Sequence, residues 1–108
     1  MIKKNRERLS RGLLKNFSDL PEKHQKNLLL VKNFIQKFIN TDVFIYGSFY
    51  WGNWDEESDY DVIINVDDSI SKLEIHLKLI ELKKMIKNEI NLNVDILIIT
   101  EKIGILIP

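Results

Sequence analysis

One stretch constrains the fold of this chain more than any other: Ser58-Asp59-Tyr60-Asp61-Val62-Ile63-Ile64, with Val66 just beyond it. Tyr60, Val62, Ile63, Ile64 and Val66 have the β-branched and aromatic character of a strand, predicted over 60–66. Yet this strand opens on two carboxylates. Successive side chains alternate across a strand, so Asp59 and Asp61 share one face with Cα atoms roughly 6–7 Å apart. Acids are poor strand formers and two on one face repel. A divalent cation shared between them removes that conflict.

The elements around this strand follow from periodicity. Residues 3–16 carry Leu9, Leu13 and Leu14 among Lys3, Lys4, Arg6, Arg8, Arg11 and Lys15, which reads as a basic helical extension over 1–20 despite Gly12. Pro21 suits the first turn of a new helix and Glu22 its positive dipole end. Leu28, Val31, Phe34, Ile35 and Phe38 recur at spacings of three and four, predicting a helix to about Ile39 with these five on one apolar stripe. Val43 to Tyr46 is a short buried strand ended by Gly47. Ser71 and Glu74 have capping-box spacing, with Asp68 and Ser69 as competing caps, and a helix is expected over about 69–88. Its apolar face is wide, taking in Leu73, Leu77 and Ile80 as well as Ile75, Leu79, Leu82 and Ile86. Val94 to Ile99 is a third strand, and Ile105 to Ile107 an edge strand. The expected architecture is α/β: a mixed sheet of three to four strands covered by helices on one face.

Charge is strongly segregated. Residues 1–40 hold ten Lys or Arg against three Asp or Glu, residues 41–68 hold eight acids and no base, and residues 69–108 hold six bases and five acids. With no cysteine, thiolate metal sites, disulfides and cysteine nucleophiles are excluded. No apolar run approaches the roughly 18 residues of a membrane span, and no apolar signal core follows the basic start. A cytoplasmic location is the expectation.

The chemistry concentrates in the acidic segment. Gly47 directly after a strand permits a tight turn and lets a phosphate approach the backbone. A short helix starting at Ser48 would offer free N–H groups to an anion. Asp95 interrupts an apolar strand, where an unpaired buried carboxylate costs several kcal/mol, so it calls for a partner or a metal. The helix before it is long enough to return the chain beside Asp59 and Asp61. Three converging carboxylates suit two-metal phosphoryl or nucleotidyl transfer, and an all-oxygen ligand set favours magnesium.

Gly47-Ser48, Gly52 and Ser58-Asp59-Tyr60-Asp61-Val62 together resemble the Gly-Ser, spacer, Ser-Asp-x-Asp signature of the DNA polymerase beta nucleotidyltransferase superfamily, and the interval from Ser48 to Ser58 suits its minimal nucleotidyltransferase (MNT) branch. The resemblance implies a nucleotidyltransferase domain over 21–108. It implies that Gly47, Ser48 and Ser58 hold the nucleoside triphosphate, ATP above all. Asp59, Asp61 and Asp95 would be the catalytic acids and bind two magnesium ions, Asp95 also helping to activate the acceptor hydroxyl. Minimal members are often antitoxins that inactivate a HEPN-type toxin by transferring AMP to a tyrosine. Little chain is left outside the nucleotidyl core to form an acceptor site, so a partner protein or a second copy is expected to supply it. The sequence departs from many members at Phe49-Tyr50-Trp51, where a basic residue commonly follows Gly-Ser.

Other readings stay open. The acids could be solvated strand-end residues. The chain could be an inactive binding module that neutralises a partner by occlusion through Tyr50, Trp51 and Trp54, or an RNA-end nucleotidyltransferase whose basic residues meet RNA. Exposed aromatics favour packing or a partner surface over nucleobase stacking. His24 and His76 lie on helices without a second histidine nearby and read as surface or boundary residues.

Overall fold

The computed structural model describes residues 10–66 and 69–108. Helix α1 (Glu22–Gln36) leads into strand β1 (Val43–Tyr46), the short helix α2 (Gly47–Trp51) and strand β2 (Tyr60–Ile64). Helix α3 (Lys72–Ile90), strand β3 (Val94–Ile98) and the two-residue strand β4 (Ile105–Leu106) complete the order. The sheet order is β3-β2-β1-β4. Strand β1 pairs antiparallel with β2 and with β4, while β2 and β3 are parallel. A parallel pair needs a crossover, and α3 supplies it.

Burial explains why the elements settle this way. Leu28, Val31 and Ile35 of α1 and Ile75, Leu79, Leu82 and Ile86 of α3 share one core with Val43, Ile45, Val62, Ile64 and Val94 of the sheet. These strand positions alternate, so one sheet face meets both helices. Each such side chain contributes about 1.5–3 kcal/mol on burial. The expected α/β fold with a mixed sheet and edge strand is the observed one.

Element ends differ from expectation for local reasons. Helix α1 stops at Gln36, whose Nε2 donates to Thr41 O at 2.9 Å, and Phe38 lies exposed beyond it. Strand β2 stops at Ile64 because both backbone groups of Asn65 meet the Thr41 hydroxyl, its N donating at 3.1 Å and its O accepting at 2.7 Å. Helix α3 begins at Lys72, with Ser71 Oγ accepting from Glu74 N at 3.5 Å, so Ser71 takes the cap that Asp68 and Ser69 were expected to contest. Asp68 itself lies outside the described residues. Leu73, Leu77 and Ile80 are exposed, contrary to the wide apolar face expected, since the side that packs is the one bearing Ile75, Leu79, Leu82 and Ile86.

The basic extension also differs. Residues 1–9 lie outside the described part, and residues 10–16 form no helix. They run as a strap along α2, with Arg11 N donating to Gly52 O at 2.9 Å and Leu14 N to Tyr50 O at 2.8 Å. Gly52, at φ +88°, passes so close to Gly12 that a β-carbon on it would overlap the Gly12 carbonyl. The helical reading failed because the backbone donors of this segment find partners on α2 instead of within the segment. Among the described residues no helix is long and apolar enough to cross a membrane.

Candidate active site

One end of the paired strands brings the singled-out residues together. Tyr46, the last residue of β1, pairs with Asp61 of β2, and Asp61 pairs in parallel register with Asp95 of β3. Register partners share a face, so Asp61 and Asp95 are neighbours on the face away from the helices. Asp59 lies two residues before Asp61, just outside β2, and is exposed. Gly47 adopts φ +63°, where glycine is favoured, and a β-carbon there would overlap the Asp61 carboxylate. The turn into α2 therefore passes directly over the central acid.

The three acids are in electrostatic reach of one another. Asp61 is half-buried, and its pKa is raised by burial first, then by the charges of Asp95 and Asp59. Among the described residues neither the Asp59 nor the Asp61 carboxylate has a hydrogen-bond or ion-pair partner. Asp95 differs: its Oδ1 receives Lys83 Nζ at 2.9 Å, with both side chains about half exposed. The sequence led us to expect a buried carboxylate. Strand β3 instead lies at the sheet edge, and positions 95 and 97 face away from the helices into solvent. Among the described residues no three His, Asp or Glu side chains stand as a preformed metal-binding group. The donor chemistry nonetheless fits a hard divalent cation, because the mutual repulsion that raises Asp61 is what such an ion would offset.

Aromatic packing fixes the two halves of the motif. Phe49 is buried and stacks on Trp54 (centroids 5.1 Å apart, 13° between planes) and on Tyr60 (4.9 Å, 27°). Asn27 Nδ2 donates to Tyr60 Oη at 2.8 Å, and the same hydroxyl shares a hydrogen bond of 2.6 Å with His24 Nδ1. His24 is a buried core residue and not the surface or boundary residue expected. Burial lowers its pKa, an effect stronger than the opposing charge of Glu56. Its place was readable: His24 precedes Leu28, Val31 and Ile35 at spacings of four, three and four. Trp54 is buried too, under the Arg11 guanidinium 3.8 Å above its ring centre, which leaves Trp51 as the half-exposed member of the aromatic set. His76 is exposed, as expected. Ser58 Oγ accepts from Asp55 N at 2.8 Å, so it shapes the loop before Asp59.

Lys83 was not singled out from sequence. It was legible only through helix periodicity carried across to another strand, since twelve positions separate it from Asp95. Arg11, whose Nη1 donates to Trp54 O at 2.7 Å, was read from sequence only as one of the basic residues of the extension.

A search of curated proteins returned no match. A family model described as a nucleotidyltransferase domain matches residues 29–105, a span holding Gly47, Ser48, Ser58, Asp59, Asp61 and Asp95.

Proposed function

Because the chain belongs to the nucleotidyltransferase domain family, we propose that it transfers a nucleoside monophosphate, AMP from ATP, to a hydroxyl of a partner protein, and that the partner is a HEPN-type toxin which this modification inactivates. The observation that carries the reading is the meeting of Gly47 with Asp61, and of Asp61 with Asp95, at one end of the strands. Asp59, Asp61 and Asp95 would hold magnesium, which when bound supplies Lewis-acid stabilisation of the reacting phosphate. The turn at Gly47 and Ser48, which the missing Cβ lets lie against Asp61, would take the triphosphate beside the acids.

The reaction is an in-line displacement. The acceptor hydroxyl oxygen forms a bond to the α-phosphorus as the bond from that phosphorus to the bridging oxygen breaks. Pyrophosphate departs with the electron pair, and Asp95, on the open face beside Asp61, receives the hydroxyl proton. Phe49, Trp54, Tyr60 and His24 keep the turn and the acids in register while this occurs.

The deciding experiment supplies α-labelled ATP, magnesium and a HEPN-type toxin, and looks for label on the toxin. Wild type that leaves the toxin unlabelled ends the enzymatic reading. Asp59→Asn/Asp61→Asn should abolish labelling and retain the folded circular-dichroism signature.

One observation favours a second reading, a non-catalytic module that neutralises by occlusion: Asp95 is engaged by Lys83. Neutralisation that survives Asp59→Asn/Asp61→Asn and fails in Trp51→Ala would support it.

A further inference from the structure

Beside the acids lies a feature that the proposed reaction does not use. Lys83, Lys84, Lys87 and Asn88 from the last turns of α3, with Asn93, line an open groove of about 780 Å3 whose other wall is Asp59 and Asp95. Lys83 answers Asp95, but among the described residues neither Lys84 nor Lys87 has an acidic partner. One ion pair, one unpaired acid and two unpaired bases thus line one cavity.

Next to the groove an exposed aliphatic row runs along the outer side of α3. Leu73, Leu77 and Ile80 are 69%, 57% and 52% exposed, and with Lys84 and Lys87 they recur at spacings of four, three, four and three. Such residues form one stripe on a helix. An aliphatic row feeding a lysine-lined groove matches a protein segment better than a nucleic acid, which would be met by stacking aromatics and phosphate contacts.

We propose that this stripe and groove are the acceptor-docking surface, and that the segment delivered beside Asp95 is an acidic stretch of protein flanking the hydroxyl. The proposal rests on the transferase reading above and names its acceptor chemistry. Charge complementarity selects the segment: Lys84 and Lys87 are free to pair with its carboxylates, and like-charge repulsion from Asp59 and Asp95 keeps those carboxylates on the lysine side of the groove.

The test uses a fluorescent Glu-Tyr random copolymer, a Lys-Tyr copolymer and oligoadenylate as probes of the full chain, read by anisotropy at low and high salt. Wild type should bind the Glu-Tyr copolymer, and bind it more weakly as salt rises. Lys84→Glu/Lys87→Glu should lose at least tenfold in affinity, while Lys26→Glu/Lys102→Glu, with the same change in net charge, should stay within twofold. No binding by wild type, equal loss in both double variants, or tighter binding of oligoadenylate through Lys84 and Lys87 would each overturn the proposal. Binding needs no nucleotide, so it is separable from the reaction. Copolymer bound but never labelled with ATP and magnesium counts against the transferase reading, whereas labelling undiminished in Lys84→Glu/Lys87→Glu counts against the groove.

Discussion

Gly47 lies against Asp61 so closely that a β-carbon on the glycine would occupy the space of the carboxylate. The two halves of the sequence motif are therefore one contact in space, between the end of β1 and the start of β2. Gly47→Ala should suffer twice: φ of +63° is unfavourable for alanine, and the methyl group must displace Asp61. The expected loss is ~2 kcal/mol, or a fall of roughly 10 °C in Tm. Magnesium-dependent ATP binding should disappear in the same variant, measured by calorimetric titration at a temperature where it remains folded.

Asp61 gives a pH dependence of definite sign. Its pKa is raised in the folded protein by burial, then by Asp95 and Asp59. Without a cation the folded state binds this proton more readily than the unfolded state, so stability falls as pH rises from the ordinary carboxylate range through the raised value, and the full cost is present above it. Asp61→Asn should consequently melt higher than wild type at pH 7 in chelator and show little difference at pH 3. A variant that melts lower than wild type at pH 7 would contradict the assigned repulsion.

His24 acts in the opposite direction. Burial depresses its pKa, so the stability it contributes is present above the ordinary histidine value near 6.5 and is lost as pH falls toward the lowered one. His24→Gln should flatten the loss of Tm between pH 7 and pH 5, even though it lowers the value at pH 7 through poorer packing against Phe49 and Trp54.

How legible the molecule is depends on whether a feature is local. The Gly47 turn, the Asp59-Tyr60-Asp61 strand start and the strand-helix-strand return to Asp95 depend on backbone chemistry within a few residues and on helix length, so the sequence carries them. The surroundings of Asp95 are not local. An apolar strand with one acid reads the same whether both faces are covered or one is open, and the position of β3 at the sheet edge decides between them. Leu73, Leu77 and Ile80 mislead for a related reason, since periodicity reports an apolar face but not how much of it a two-layer core can reach. The strap at residues 10–16 is stabilised by bonds to Gly52, Tyr50 and Trp54, some 40 residues away, which no local pattern encodes.

Arg11 gives that strap a measurable strength. Its guanidinium stacks on Trp54 and bonds the Trp54 carbonyl, while its backbone bonds Gly52. Arg11→Ala should cost about 1–2 kcal/mol from the lost cation-π contact and hydrogen bond. Acrylamide quenching of tryptophan fluorescence should increase as Trp54 is uncovered, and Arg11→Lys should recover part of the stability without the bidentate geometry of arginine.

Lys83 sets the state of the third acid. Its pair with Asp95 is exposed on both sides, so in stability it is worth at most about 1 kcal/mol. Its larger effect concerns cations, because an ammonium group 2.9 Å from Asp95 Oδ1 competes for that carboxylate and repels a divalent ion beside Asp61. Removing it takes away one positive charge and one competitor. Lys83→Ala should therefore leave Tm in chelator within about 3 °C of wild type, yet raise magnesium affinity about fivefold, equivalent to roughly 1 kcal/mol of relieved repulsion in a partly solvated site. Lys83→Arg should keep the wild-type affinity, since the charge remains. Isothermal titration across the three proteins separates the cases, and equal magnesium affinity in Lys83→Ala and wild type would show that Asp95 takes no part in holding the ion.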